Sequence, residues 1–369
     1  MTTISGELVE PTAPHLERRA RPVTLKDVAA LAGVDKGSVS VVLNGAKSNT
    51  GVSAATRQRI LDAARELDYR PNPIAQRLAT GHSSKHIDIF ALKLDAGIGV
   101  HKIKAIQGHL MSLGYDVPVH SYDFYGMHAD ETERKLELIR ALRRQRPRAI
   151  VCATPGVDPV VLDEISEFIK DGGIAVCYDD AIHIACDNVV FDTHYTIERA
   201  ATHLMELGHR RIGLFQQGVE SPNPSILEGF RKAHEKFALE VRPDWIFGSP
   251  RVAEEGGSDL AQQFLALPKA ARPSGMVVIN DRSAFGFMVD VAKAGIRIPD
   301  ELSVVGHDDL AVARYCPVPL TTVTHPYWQI ASTVVSLLRN RLESQNNENP
   351  RRVHVRGELV IRQSTQVLG

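Results

Sequence analysis

The chain has 369 residues, 43% hydrophobic and 24% charged, with a formal net charge of −1. That length predicts two or three domains, and the composition is that of an ordinary soluble globular protein. No apolar run approaches the roughly 18 residues of a membrane span, the first 22 residues lack the apolar centre of a secretion signal, and four scattered cysteines without a CxxC pair argue against disulfides or a zinc site and fit a reducing cytoplasm.

Residues 1–22, polar and carrying Pro11, Pro14 and Pro22, read as a disordered lead-in. Thr24 then has the form of a helix N-cap with Asp27 in the first turn. Leu25, Val28, Ala29 and Ala32 recur on one helical face, and Gly33 stops the helix. A second helix, Lys36 to Leu43, turns Val39, Val42 and Leu43 inward. Two short helices joined by a tight glycine-containing turn are the helix-turn-helix pattern. A third helix starts at Ser53, carries Ile60, Ala64 and Leu67 at helical spacing, and ends at Tyr69-Arg70-Pro71. Residues 21–86 hold ten Lys/Arg against five Asp/Glu, so a basic head sits on an acidic remainder, which suits a polyanion partner for the head alone.

In such heads the second helix enters the major groove with its first residues at the base edges. That makes Lys36, Gly37, Ser38, Ser40 and Val41 the candidate readers, with Val41 limited to apolar contact. Thr24, Ser53, Thr56 and Arg57 stand at helix starts, where phosphates are held. Asn72-Pro73 then opens a run of about eight residues with Ile74, Ala75, Leu78 and Ala79 on one face. So short a helix needs a partner, such as the same segment of a second subunit. Leu78 is the kind of apolar wedge that kinks DNA from the minor groove.

The blocks Thr24-Leu-Lys-Asp-Val-Ala-Ala-Leu-Ala-Gly-Val34, Ser38-Val-Ser40, Val42-Leu-Asn44, Val52-Ser53 with Thr56-Arg57, and Tyr69-Arg-Pro-Asn72 with Ala75-Gln-Arg-Leu78 resemble the lactose-repressor (LacI/GalR) family in order and spacing. The resemblance implies DNA contacts also from Asn44, Tyr69, Asn72, Ala75 and Gln76. The chain departs from the family at Val41, where an arginine often reads a guanine, and in the loop Gly45–Gly51, about three residues longer than the lactose repressor's. A different operator base at the Val41 step is expected.

From His86 onward, strand-like runs alternate with amphipathic helices. Strands are predicted at Ile87–Leu92, Val117–His120, Ala149–Ala153, Ile174–Cys177, Asn188–Phe191, Ile212–Gln216, Met276–Ile279 and Ser303–Gly306. Helical spacing appears at Ile103, Ile106, Leu110 and Leu113, at Leu136, Ile139 and Leu142, and over Ile226–Phe237, Leu260–Leu267 and Ala284–Ala294. This order predicts two doubly wound parallel sheets. Neither G-x-G-x-x-G after a strand nor a Walker-type phosphate loop is present, so no nucleotide cofactor is expected. Ligands of such sheets bind beyond the carboxyl ends of the strands. Asn280 and Asp308 stand there with hydrogen-bonding side chains. Asp281 and Asp309 serve equally well as helix caps or as site residues.

Asn188-Val-Val-Phe-Asp192, Leu207-Gly-His-Arg-Arg-Ile212, Glu228-Gly-Phe230, Ile279-Asn-Asp281, Ser303-Val-Val-Gly-His-Asp-Asp309, Pro319-Leu-Thr-Thr-Val323 and Glu358-Leu-Val-Ile-Arg362 with Ser364-Thr365 extend the resemblance to the family's effector-binding core. It implies two lobes like those of periplasmic sugar-binding proteins, three crossovers, and one small-molecule effector in the cleft. Asn280, Asp308, His325 and Arg251 match effector contacts. Ile226 stands where the family usually places a gripping arginine, and Asp95-Ala-Gly-Ile-Gly-Val100 replaces an Asn-Pro-Phe-Phe block. An atypical, more apolar pocket, or a lost effector response, is implied.

Other features read as structural. Adjacent Asp179-Asp180 suits a solvated turn, His82 and His86 suit exposed polar positions, and Arg140–Arg146 suits a solvated last helical turn. Cys316 lacks a partnering base. No catalytic, metal or cofactor site is expected. The expected chain is an all-α helix-turn-helix head plus a two-lobed α/β core of periplasmic-binding-protein type. Its predicted parts are a lead-in (1–22), DNA-binding domain (23–70), hinge (71–84), N-lobe (85–206 with 325–352) and C-lobe (207–324 with 353–369). The corresponding function is a cytoplasmic, homodimeric repressor of double-stranded operator DNA, not an enzyme. The end at Gly369, without a heptad segment, predicts dimers rather than tetramers. The competing reading is a ligand-binding module or enzyme on the same core, with a vestigial head.

Overall fold

In the computed structural model the described residues are 23–44, 51–69, 85–91, 97–121, 131–145, 147–153, 159–179, 182–217, 223–343 and 349–368. The chain divides into two compact units, residues 1–84 and 85–369.

The first unit holds helices α1 (Leu25–Ala32), α2 (Lys36–Asn44) and α3 (Ala54–Glu66). Val28, Val39 and Ile60, one from each helix, are fully buried against one another's neighbours Ala29, Ala32, Ala63 and Ala64. Each such side chain stabilises by about 1.5–3 kcal/mol relative to exposure, and three of them anchor a core this small. Leu25, Val42, Leu43 and Leu67 close its rim, as their spacing predicts.

The second unit contains β1 (Ile87–Ala91), α4 (Ile98–Ser112), β2 (Val119–Ser121), α5 (Glu131–Gln145), β3 (Ala149–Ala153), α6 (Pro159–Lys170), β4 (Ile174–Asp179) and β5 (Asp187–Phe191). It continues with α7 (Thr193–Glu206), β6 (Ile212–Gln217), α8 (Pro224–Lys236), β7 (Ile246–Ser249), α9 (Ala253–Ala266), β8 (Gly275–Val278), α10 (Asp281–Lys293) and β9 (Ser303–Asp308). Last come α11 (Ala311–Tyr315), β10 (Thr321–Thr324), α12 (Tyr327–Glu343), β11 (Arg352–Val355) and β12 (Leu359–Val360). Two six-stranded sheets result, ordered β11-β5-β4-β3-β1-β2 and β12-β10-β9-β8-β6-β7. All pairings are parallel except β10 with β12.

Both faces of each sheet are covered, which is why the strands read as nearly continuous apolar runs. In β3, Ala149, Val151 and Ala153 join one core while Ile150 and Cys152 join the opposite one. The strands β2 (VHS), β10 (TTVT) and β11 (RVHV) are the least apolar. β2 is displaced from the predicted Val117–His120, β7, β10 and β11 lack a long apolar run, and β12 is only two residues long, so the sequence predicts none of these last four. Leu113 follows the helix end instead of extending it and is exposed.

Three crossovers join the lobes, as expected, but their positions differ from the sequence reading. Helix α7 packs on α8 and the second sheet through Ile197, Ala200, Ala201 and Leu204. The first crossing therefore falls at Asp192, not after Glu206. Strand β11 pairs with β5 of the first sheet, which moves the third crossing from residue 352 to Arg356–Glu358. The C-terminal Ser364 stitches the second sheet: its hydroxyl donates to the Val304 carbonyl (2.6 Å) and accepts from the Thr321 N–H (2.8 Å).

Candidate nucleic-acid interface and ligand cleft

The head's surface is built by its caps. The backbone N–H and hydroxyl of Thr24 both donate to the Asp27 carboxylate (2.8 and 2.7 Å). At α3, Ser53 accepts from the Thr56 N–H and donates to its hydroxyl. The cap of α2 is Asp35, a residue not singled out from sequence. Its carboxylate accepts from the backbone N–H (2.9 Å) and hydroxyl of Ser38, and these bonds hold it below the usual carboxylate range. A Cβ on Gly37 would lie 2.8 Å from Asp35 Oδ1, so glycine at this position leaves room for the cap. Gly37 and Ser38 thus have a local role that sequence reasoning missed.

Lys36 is exposed at the start of α2, and Ser40 and Val41 are half-buried outside the residues of the core. Arg57 is exposed near the start of α3. Tyr69 packs on the core rim, and burial raises its phenol pKa. Asn44 is the last residue of α2. Asn72, Ala75, Gln76 and Leu78, with most of the loop 45–51, lie outside the described residues.

In the second unit the carboxyl ends of several strands bring polar groups together. Leu214, Val305 and Val323 share one apolar core, so two residues farther along the same face stand Gln216, His307 and His325. His307 Nε2 lies 3.0 Å from the Thr196 hydroxyl and its Nδ1 lies 3.1 Å from Asp308 Oδ1. His325 is buried with its ring centroid 3.8 Å from that of Phe191, at the end of β5. Among the described residues neither of its nitrogens has a hydrogen-bond partner. Burial, aided by Lys102 and His307, pushes its pKa well below the ordinary imidazole value and keeps the ring neutral.

Asp179, read from sequence as part of a solvated turn, is instead the buried last residue of β4. The strand runs two residues past Cys177, and Lys102 of α4 supplies a cation at 2.6 Å. The signal was present: an acid directly after an apolar strand, the same signature that singled out Asp308. His86 is likewise not a plain exposed residue, since its Nε2 lies 3.0 Å from the fully buried Asp88, which also meets His120. The arginine run of α5 is also tied down, with Arg140 and Arg143 both held by Glu164.

The remaining candidates are occupied by the fold. Asn280 accepts from the Ser283 N–H (2.7 Å) and caps α10. The Arg251 fork grips Asp259, which also accepts from Ser249 and is held down to about 2. Ile226 packs into the C-lobe core beside Phe230 and Leu214. Asp309 pairs with Arg362. Asp281 is fully buried, accepting from the Thr322 hydroxyl (2.6 Å) and the Leu310 N–H (2.7 Å). No cation among the described residues pairs with it, and burial with the nearby Asp308 raises its pKa well above the ordinary aspartate value. A Cβ on Gly306 would lie 2.4 Å from its Oδ1, so the strand beside it carries a glycine.

A capped helix-turn-helix followed by two parallel sheets with three crossovers is the arrangement the sequence blocks imply. Residues 24–72 match the domain described as bacterial regulatory proteins, lacI family, and residues 201–365 match a periplasmic binding protein-like domain. The head is a LacI-family DNA-binding domain, joined to a periplasmic-binding-protein-like domain as in PurR- and LacI-type regulators. The full chain is a DNA-binding transcriptional regulator with an effector-binding domain. The chain is 28% identical over 353 residues to the HTH-type transcriptional repressor PurR of Photobacterium profundum, covering 94% of this chain and 99% of the relative. It is also 28% identical over 349 residues to the NTD biosynthesis operon regulator NtdR of Bacillus subtilis, covering 93% and 99%. The crystal structure of the lac repressor dimer bound to operator and the anti-inducer ONPF superposes with a TM-score of 0.79 at 26% identity, over 94% of this chain and all of that one. The relatives are regulators, and no helix among the described residues is long and apolar enough to cross a membrane.

Proposed function

We propose that this chain acts in the cytoplasm as a homodimeric repressor of a roughly two-fold symmetric operator, without catalytic activity. Lys36, Ser40 and Val41 meet base edges, Lys36 by donating to guanine acceptors and Val41 by apolar contact. Thr24, Ser53, Thr56, Arg57, Asn44 and Tyr69 anchor phosphates, and Asn72, Ala75, Gln76 and Leu78 form the hinge that opens the minor groove. The observation that carries this reading is the start of α2: an exposed Lys36 on a helix whose opposite face, through Val39, is locked into the head's core.

A small-molecule effector binds in the second unit at the strand ends around Asp308 and His325. Asn280 takes part through the side-chain atoms its cap leaves over, Arg251 is held away by Asp259, and Ile226 contributes apolar packing in place of an arginine. The effector acts through different affinities for two lobe arrangements, a coupling of roughly 1–3 kcal/mol in typical cases.

Selection of bound duplexes from a random DNA library with the full chain tests the DNA half. A two-fold symmetric site, with its specificity lost in Lys36→Ala while non-specific binding persists, is expected. Recovery of an asymmetric site, or equal loss of specific and non-specific binding, overturns it.

A further inference from the structure

The two sheets share one strand order: read from β2 and from β7, β4 and β9 hold the same fourth place. Each ends in an aspartate. Asp179 closes β4 with φ 89° and Asp308 closes β9 with φ 108°, a backbone region that side-chain-bearing residues rarely occupy. Such strain persists where the surroundings over-determine it, often at ligand clamps. The two carboxylates come from different lobes, yet both face His325. Asp179 Oδ1 lies 3.9 Å from its Nε2, and Asp308 Oδ1 lies 3.8 Å from its Nδ1.

These groups are mostly acceptors. Asp179 Oδ1 and Gln216 Oε1 are buried without a hydrogen-bond partner among the described residues, and both His325 nitrogens are unmatched there too. A buried acceptor left unpaired costs free energy until a donor meets it. Cations are already committed: Lys102 holds Asp179, and Arg356 of the third crossover holds Asp192. Ile226 adds none. Among the described groups here, Asp179, Asp192 and Asp308 outnumber Lys102 and Arg356 by one charge.

Resting on the cleft reading above, we propose that the effector is a small organic amine. Its ammonium group lies between Asp179 and Asp308, one carboxylate from each lobe, with the His325 ring displaced from between them. An ammonium has three donors and no acceptor, which matches two carboxylate oxygens and an amide or imidazole acceptor. Phosphorylated or carboxylated compounds find no free cation among the described groups and meet an acidic wall. Among the described residues no hydrogen bond holds the His325 ring in its present place; its tilted contact with Phe191 and its edge contact with His307 are the ring contacts the ligand has to replace.

The test uses the full chain and three probes of one scaffold differing in charge: glucosamine, glucose and glucose 6-phosphate. Thermal stabilisation is read at equal concentration and matched ionic strength. Glucosamine should stabilise most and glucose 6-phosphate least, and Asp179→Asn and Asp308→Asn should each weaken glucosamine binding about tenfold, the loss of one charge-assisted bond. Because Asp179→Asn leaves Lys102 without its partner, Asp308→Asn carries the test if that variant folds poorly. Equal stabilisation by all three probes, preference for the phosphate, or no stabilisation by any of them overturns the amine class. Stabilisation by glucose 6-phosphate that the aspartate variants alter would overturn the amine while keeping the cleft. A glucosamine effect that both variants leave unchanged would overturn the cleft itself.

Discussion

Asp187 of the N-lobe and Asp281 of the C-lobe are both buried at points where distant segments meet, and the two solve the burial in opposite ways. In the N-lobe, Asp187 at the start of β5 accepts from Arg341 of α12 (3.0 and 2.7 Å) and from the backbone and side chain of Arg351 before β11 (2.8 and 3.2 Å). Burial alone would raise its pKa, but the two arginines hold it below the usual range, so it stays charged. In the C-lobe, the donors to Asp281 among the described residues are neutral, the Thr322 hydroxyl and the Leu310 N–H, and burial raises its pKa. A buried carboxylate with cations becomes an ionic clamp; without them it behaves as a neutral hydrogen-bonding group. Sealing a sheet end therefore takes a full complement of donors, and charge is optional.

That contrast can be broken by substitution. The largest effect is expected for Asp187→Ala, which strands two partly buried guanidinium groups and should lower stability by about 3 kcal/mol in denaturant unfolding. Because the folded pKa of Asp187 lies below the unfolded value of about 3.9, its contribution is present above that pH. It should vanish as the pH falls through the folded value, so the gap between wild type and variant should narrow in acid. A gap that stays constant there would remove Asp187 from the ionic class.

Gly306→Ala comes next. Its Cβ would sit 2.4 Å from Asp281 Oδ1 and 2.6 Å from Leu320 Cδ2, and such overpacking should cost about 2 kcal/mol. A tolerated alanine would mean that the Asp281 pocket has slack. Asn280→Ala should cost about 1 kcal/mol through the lost α10 cap, whereas Asn280→Asp should be close to neutral. If both variants melt like the wild type, the cap is not what holds this strand end.

The smallest effect is expected for Asp281→Asn, within about 1 kcal/mol near neutral pH. The amide oxygen can still accept from Leu310 while the amide nitrogen donates to the Thr322 hydroxyl. The raised folded pKa sets the opposite pH sign to Asp187. The aspartate's advantage over asparagine is present below about 3.9 and is lost as the pH rises through the folded value. A large penalty for Asp281→Asn at neutral pH would show that its charge matters after all.

The head was legible because its signals are local. Thr24 with Asp27 and Ser53 with Thr56 form caps within one turn, and Val28, Val39 and Ile60 follow the helical period that buries them. The covered strands were legible for a related reason: apolar residues on both faces leave few alternatives. The Asp35 cap is harder to read, because its partner Ser38 fits a DNA contact equally well by residue type and position. The Asp179 pair is hard to read because its cation, Lys102, lies 77 residues away in sequence.

The sequence by itself determined the helix-turn-helix, the two doubly wound sheets and the family, since these rest on periodicity, caps and spacing within short windows. Only the tertiary structure decided which acids are charged, which arginines are free and where the lobes cross. Pairing of Asp187 with Arg341, of Arg251 with Asp259 and of α7 with the second sheet depends on which surfaces meet after folding. Burial and partner then set a side chain's charge, and no local pattern encodes either.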